Sequence, residues 1–268
     1  MTDRPAETWS GADAYERYVG RWSRLVAADF VAWLGRPPGA AWLDVGCGTG
    51  ALGETVLALA APARVEGVDR SAAYVAHARA RLGGPRAAFA EADAERLPHA
   101  DGTFDVVVSG LMLNFVARPE VALTEMARVV RPGGVVGAYV WDYAGGMECM
   151  RRFWDAAAAL DREAAELDEG RRFPLCRPEA LEALFRGAGL AEVASRAIDV
   201  PTRFRDFDDY WSPFLGDQGP APGYAARLDE ARRARLRERL RAALPTGADG
   251  AIDLVARAWA VRGVRPGA

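Results

Sequence analysis

The sequence contains no lysine: all 34 positions counted as Lys or Arg are arginine, and only two histidines, His77 and His99, accompany them. A Tyr-x-x-x-Lys proton-transfer pair, such as a nicotinamide-dependent oxidoreductase would use, is thereby excluded. Cysteine is scarce too. Cys47, Cys149 and Cys176 stand too far apart for a metal-ligand spacing, and three thiols cannot all pair within one chain, so no metal is expected and a reducing compartment fits. No run approaches the roughly 18 apolar residues of a membrane helix. The opening MTDRPAETWSGADAYERY is polar and lacks an apolar h-region, so a cytoplasmic protein without a membrane partner is expected. A net charge of −3 gives no basic field for nucleic acid. What is present is ordinary for a soluble globular chain: 268 residues, half of them hydrophobic, enough for one large α/β domain with a modest insert or a small cap.

The stretch around which the chain is organised is LDVGCGTG, Leu43 to Gly50, an apolar run that reaches an acid and then breaks into a loop with glycine at every second position. It reads as a strand, a tight turn and a helix start. Gly46, Gly48 and Gly50 remove side chains where the backbone must turn and where a ligand could approach main-chain N–H groups. Two nucleotide-like guests compete at this point. Gly46, Gly48 and Ala51 also satisfy the G-x-G-x-x-G/A dinucleotide fingerprint, and Asp69 follows about 20 residues on, where a ribose-binding acid belongs. Asp44 separates them. A pyrophosphate about 4 Å from its carboxylate would be repelled by roughly 4 kcal/mol at an effective dielectric near 20, whereas an α-ammonium would be attracted by a similar amount.

The D-x-G-x-G-x-G loop, with an acid at the end of each of the next two strands (Asp69, Asp93) and the RPGG turn at Arg131 to Gly134, resembles class I S-adenosylmethionine-dependent methyltransferases. That resemblance implies a Rossmann-like α/β fold: a doubly wound sheet of seven strands, the last antiparallel, with N-terminal helices and a helical cap after the fifth strand. It implies S-adenosylmethionine as cofactor, Asp69 on the ribose hydroxyls, and Asp93 with Ala94 on the adenine. The remaining cofactor candidates are Cys47 in the loop, Arg70 beside Asp69, Ser109, and Tyr18 and Arg21 from the leading helices. The Pro-Pro pair that marks methylation of exocyclic base or glutamine nitrogens is missing after the fourth strand. A small-molecule acceptor is therefore expected, with a monomer or homodimer.

Taken in order, residues 1–40 read as N-terminal helices, which the resemblance implies cover the cofactor with Tyr15, Tyr18, Arg21 and Trp22 near its amino-acid end, the alternative being a helix simply packed on the sheet. Residues 41–144 read as the binding core, 145–223 as insert, strand and cap, and 224–268 as a helix and closing strand. Strands are expected at 41–45, 64–68, 87–91, 104–108, 135–141, 190–200 and from 252, the last entering between the fifth and sixth. Gly216 to Gly223 reads as a loop. Leu228, Leu236, Leu240 and Leu244 read as one apolar stripe, which leaves the arginines between them on a solvated face. Ser71 is the expected N-cap of the helix from Ala72 to Leu82, which leaves Asp69 free, and Tyr74, His77 and Arg81 fall on that helix's polar face.

Transfer from a sulfonium needs an aligned acceptor and a dry site, and a general base only for some acceptors. Asp142 and Tyr143, just after the fifth strand, are the candidate catalytic groups; neither histidine is well placed. The acceptor is expected against Met112, Asn114 and Phe115 after the fourth strand, Trp141 and Met147 around the end of the fifth, and Trp211 and Phe214 of the cap, soft and aromatic side chains of the sort that line small-molecule pockets. Two alternatives stay open: a methyltransferase fold that holds the cofactor without transferring its methyl, and a nicotinamide-dependent enzyme.

Overall fold

The computed structural model describes residues 20–216 and 219–267. The described residues divide into two compact units, one of residues 23–141, 175–198 and 258–267, the other of residues 20–22, 142–174, 199–216 and 219–257.

The first unit carries the sheet. Its strands are β1 (Ala41–Val45), β2 (Arg64–Asp69), β3 (Ala87–Glu91), β4 (Phe104–Gly110), β5 (Val130–Trp141), β6 (Ala191–Phe204) and β7 (Ile252–Val264), ordered β3-β2-β1-β4-β5-β7-β6. Neighbours from β3 to β5 are parallel, and β7 runs antiparallel to β5. Positions 199–204 of β6 and 252–257 of β7 belong to the other unit. This is the expected seven-stranded Rossmann-like order. β1 and β4 are buried almost throughout, as strands covered on both faces must be, and their runs Trp42-Leu43 and Val106-Val107-Val108 are correspondingly apolar. The helix α1 (Arg21–Leu34) lays Phe30 against Tyr139 of β5 at 4.9 Å between ring centroids. The crossover helices are α2 (Ala51–Leu59), α3 (Ala72–Leu82) and α4 (Pro119–Val129), with α7 (Pro178–Gly187) ahead of β6.

The second unit is helical: α5 (Glu148–Leu160), α6 (Glu169–Arg172), α8 (Phe207–Trp211), α9 (Pro220–Arg227) and α10 (Glu230–Ala243), with short 3-10 turns at Arg162–Glu166 and Ser212–Leu215. Its core is a chain of rings. Phe153 stacks on Phe214 at 4.5 Å and meets Trp154 edge-on at 5.2 Å; Tyr210, Trp211 and Tyr224 continue the cluster. Aspartate side chains at 161, 168, 206 and 229 take the orphan N–H groups that open its helices and 3-10 turn.

Local expectations change in several places. β2 runs on to Asp69, β4 to Gly110 and β6 to Phe204. β5 begins at Val130, so the RPGG stretch is a bulge inside the strand: Val130 pairs with Phe104 and Val135 with Val106, four residues on one strand opposite one on the other. The expected loop over 216–223 ends in a helix from Pro220, because proline in a first turn gives up an N–H that has no intrahelical partner. The expected helix over 224–243 is two. Arg233 turns back to donate to the carbonyls of Ala225 (3.1 Å) and Leu228 (2.8 Å), closing α9, and Asp229 caps α10. Leu236, Leu240 and Leu244 are buried as the stripe required; Leu228 falls in the break.

Candidate active site

In an open parallel sheet ligands sit beyond the carboxyl ends of the strands where the strand order reverses, here between β1 and β4. β2, β3 and β4 end there in Asp69, Glu91 and Gly110, and Asp44 is the penultimate residue of β1.

Asp44 is the centre of the site. It is 1% exposed, and neither carboxylate oxygen has a hydrogen-bond partner. Burial, with a smaller contribution from the neighbouring charge of Asp69, pushes its pKa up to about 7, and the Gly53 N–H, near the carboxylate but outside hydrogen-bonding geometry, offsets only part of that. A buried charge without a counter-group is costly in an ordinary core, so an orphaned carboxylate at a strand end is the structural mark of a missing cation or donor.

The turn after β1 is built for close approach. Gly46 (φ +74°) lies so near Met112 that a Cβ would overlap that side chain, whereas a Cβ on Gly48 (φ +52°) would meet nothing within 4 Å, which leaves open space over its backbone. Gly50 precedes α2 in the left-handed conformation and donates to the Cys47 carbonyl at 2.9 Å. Cys47 itself is buried, and burial raises its pKa further from the thiolate, so its contribution is backbone and volume.

Asp69 departs from expectation. Ser71 does cap α3, accepting from the Tyr74 N–H at 3.4 Å, but Asp69 is not left free: one oxygen accepts from Gly48 N–H at 2.9 Å and the other from Ser71 N–H at 2.8 Å. Each carboxylate oxygen keeps a further lone pair for a ligand hydroxyl. Arg70 beside it is exposed. Asp93, at the end of β3, accepts the Glu95 N–H at 2.9 Å in an Asx-type turn next to half-buried Ala94.

After β4 the chain bends through Leu111, a non-glycine residue at φ +59°, into the 3-10 turn Leu113–Phe115. Ser109 is fully buried with its Oγ unpartnered, Asn114 has an unpartnered Nδ2, and Met112 and Phe115 are half-buried. Tyr74 was missed in the sequence. Its hydroxyl is buried without a partner, and both burial and the charge of Asp69 raise its pKa, so it faces the site from the first turn of α3 instead of lying on a polar outer face. The signal was its position one turn after Asp69. Asp44, Tyr74, Ser109 and Asn114 thus leave polar atoms unsatisfied in this unit, three of them at strand ends or just beyond.

The other expected residues have structural partners. Asp142 is 7% exposed and accepts both Gly145 N–H (3.1 Å) and Gly146 N–H (2.8 Å), the geometry of a turn cap and not of a base held ready for a proton. Tyr143 packs on Phe173 at 5.7 Å, and its carbonyl accepts from Arg151. Met147 is fully buried and Trp141 nearly so; Trp211 and Phe214 are members of the aromatic core. Arg21 and Trp22 lie together in the helical unit, whereas Tyr15 and Tyr18 fall outside the described residues. His99 is tied to Glu66 at 3.2 Å and to Phe104 at the start of β4, the far end of the strand from the site. His77 is half-buried on α3. A shallow cleft at that far end, between Arg36, Gly39, Asp105 and Arg131, holds a carboxylate already satisfied by Arg131 and the Ala41 N–H, so it does not compete. Among the described residues no cluster of His, Cys, Asp or Glu could hold a metal ion, and no helix is long and apolar enough to cross a membrane.

Known proteins are similar to this chain. The family described as "Methyltransferase domain" matches residues 43–137, from the end of β1 into β5. The chain is 30% identical over 187 residues to the ubiquinone/menaquinone biosynthesis C-methyltransferase of Desulfotalea psychrophila, covering 65% of this chain and 73% of the relative. It is also 30% identical over 187 residues to the 2-methyl-6-phytyl-1,4-hydroquinone methyltransferase of a Synechocystis species, covering 68% and 57%. Of the curated relatives it matches, the chain spans between 32% and 73% of their length. Among solved structures, phosphoethanolamine N-methyltransferase 2 of Haemonchus contortus in complex with S-adenosyl-L-methionine superposes with a TM-score of 0.62 at 19% identity, covering 99% of this chain and 59% of that one, a likeness of fold. The glycine turn, the strand-end acids, the strand order and these relatives agree, and the chain belongs to the class I S-adenosylmethionine-dependent methyltransferases.

Proposed function

We propose that the protein transfers the methyl group of S-adenosylmethionine to a small organic acceptor. The observation that carries this reading is Asp44, a buried carboxylate with no partner, beside a turn whose backbone at Gly48 is open. The residues fit the cofactor. Asp44 would take its ammonium, the backbone from Gly46 to Gly50 would lie along its amino-acid and ribose portions, Asp69 and Tyr74 would reach the ribose hydroxyls, and Asp93 with the Ala94 N–H would take the adenine. Bound there, S-adenosylmethionine supplies a methyl group already activated on a sulfonium. The protein's share is then alignment and the exclusion of water.

On this reading no strong base is required of the chain, and none is offered by Asp142, whose oxygens hold backbone N–H groups. Ser109 near the end of β4 and half-buried Asn114 just past it, each with a buried unpartnered atom, are the better candidates to orient an acceptor, with Met112 and Phe115 against its apolar part. The quinol-type substrates in the relatives' names suit such a pocket, a partly apolar ring bearing few polar groups. A nicotinamide dinucleotide fits less well, since its pyrophosphate would approach a carboxylate with no counter-charge.

Calorimetry with S-adenosylhomocysteine and NADH tests the reading. The former is expected to bind and the latter not, and Asp44→Asn is expected to weaken S-adenosylhomocysteine by about 1.5–3 kcal/mol, the range for a hydrogen bond to a charged group. Binding of NADH alone would overturn it.

A further inference from the structure

The chain has methionine at positions 1, 112, 126, 147 and 150. Met126, Met147 and Met150 are buried, and Met1 lies outside the described residues, which leaves Met112 as the half-buried thioether among those described. The thiols are closed off. Cys47, Cys149 and Cys176 are all buried, and burial pushes the Cys47 and Cys149 thiols up, away from the reactive thiolate. A thioether needs no deprotonation to react, so the sulfur most open to an electrophilic oxygen is that of Met112.

That sulfur sits at the turn after β1. The chain leaves β4 through Leu111, whose left-handed backbone (φ +59°) directs the next side chain. Met112 comes to rest on Gly46: a Cβ on that glycine would overlap Met112 Cβ and Cγ and would stand 3.2 Å from its methyl carbon. The thioether and the backbone of the turn form one packed contact, two residues past Asp44 and wholly within the sheet unit. Ser109 and Asn114, within three residues of Met112 along the chain, each keep a buried polar atom without a partner, Oγ and Nδ2. An apolar thioether satisfies neither. A sulfoxide oxygen is a strong acceptor and suits both, since a hydroxyl and an amide NH₂ donate. The fold thus offers a packed seat to the reduced side chain and unfilled donors to the oxidised one.

We propose that Met112 is a modification site, oxidised to the sulfoxide by hydrogen peroxide or an organic hydroperoxide, and that this oxidation turns down binding at the glycine turn. In the step, a sulfur lone pair attacks one peroxide oxygen, an S–O bond forms and the O–O bond breaks. The electron pair of that bond and the proton of the transferred oxygen go to the other oxygen, which leaves as water or as an alcohol. Sulfur is oxidised and the peroxide reduced. The sulfoxide, bulkier and polar, gives up its rest on Gly46 and turns to the Ser109 and Asn114 donors; methionine sulfoxide reductase reverses the change. What the switch controls rests on the methyltransferase reading above, whereas the oxidation of Met112 does not.

The full chain, as wild type and as Met112→Leu, is exposed to hydrogen peroxide and cleared of it with catalase. It is then read by tandem mass spectrometry and by calorimetry with S-adenosylhomocysteine. Oxygen is expected on Met112 before Met126, Met147 or Met150. The oxidised wild type is expected to bind S-adenosylhomocysteine roughly 5- to 150-fold more weakly, the scale of an extra group forced into a packed contact. Methionine sulfoxide reductase is expected to restore the affinity. Met112→Leu is expected to keep after peroxide the affinity it had before. Oxidation of the buried methionines ahead of Met112, or full affinity in protein oxidised at Met112, would overturn the proposal. So would a peroxide-induced loss in Met112→Leu as large as in wild type. Failure of untreated wild type to bind S-adenosylhomocysteine would instead fall on the methyltransferase reading, with the mass spectrum still deciding whether Met112 is the modified site.

Discussion

The two units solve burial in different ways. The sheet unit lines its central strands with small aliphatic side chains such as Val106, Val107, Val108 and Ala138, packs larger ones such as Trp42, Phe30 and Phe104 around them, and buries one acid, Asp44, without a partner among the described residues. The helical unit fills its interior with rings, and the carboxyl group it buries, Glu169, accepts from the Trp154 indole N–H. A parallel sheet packs by repeating thin layers, which β-branched residues suit; short helices with few turns each need large side chains to fill the space between them.

The largest expected effect concerns pH, since both units bury a carboxyl group whose protonated form the fold favours. Asp44 is pushed up to about 7, and in the helical unit Glu169, 2% exposed with its carboxylate on the Trp154 indole N–H, is pushed up to about 8 by burial. A carboxyl raised above its unfolded value contributes stability that is present at low pH and lost as pH rises through the folded value. Stability is therefore expected to fall between about pH 4 and 8 in the ligand-free protein, with each group responsible for up to roughly 4 kcal/mol. Denaturant titrations at pH 5 and 8 check this: Glu169→Gln removes one share and Asp44→Asn the other, and S-adenosylhomocysteine suppresses only the share of Asp44. A ligand-free stability that rose over this window would break the comparison.

Phe153→Ala attacks the ring-filled core at its centre, where Phe153 is wholly buried between Phe214 and Trp154. The expected cost is about 3–5 kcal/mol, read from the denaturation midpoint, with loss of near-ultraviolet circular dichroism. The salt link on that core's rim is the next step down. Arg151 donates to both oxygens of Asp168 at 3.1 and 2.7 Å, and Asp168 also caps α6. Arg151→Met is expected to cost about 1–3 kcal/mol, since it strands a mostly buried acid. The smallest effect is expected in the sheet unit: Ser71→Ala removes the cap of α3 for about 1 kcal/mol, while S-adenosylhomocysteine affinity changes little, because the Ser71 N–H that holds Asp69 is backbone.

What could be read from the sequence followed from local rules. β1, β3 and α3 have the expected bounds, because an apolar run into an acid, and a serine cap with a glycine stop, are set within a few residues. The antiparallel entry of β7 came with the family resemblance and is as expected. What escaped depends on groups distant along the chain. Nothing near Pro220 announces that Arg233 will close the helix beginning there, and nothing near Asp69 shows that the Gly48 N–H will arrive from another loop. Trp211 and Phe214 have the composition of pocket lining, and only three-dimensional packing shows them spent on a core. Arg21 was expected near the cofactor from the family resemblance of the leading helices; its place between the Trp22 and Phe204 rings and beside Asp209 is a tertiary fact.

The bridging carboxylate of Asp69 has a kinetic consequence. By accepting from Gly48 and from Ser71 at once, it fastens the turn after β1 to the turn after β2 before any ligand arrives. The entropy of ordering those turns is then charged to folding and not to association. Capture of the cofactor is accordingly expected to be a single bimolecular phase with a rate linear in concentration, without the saturating slow step of a loop that must first close.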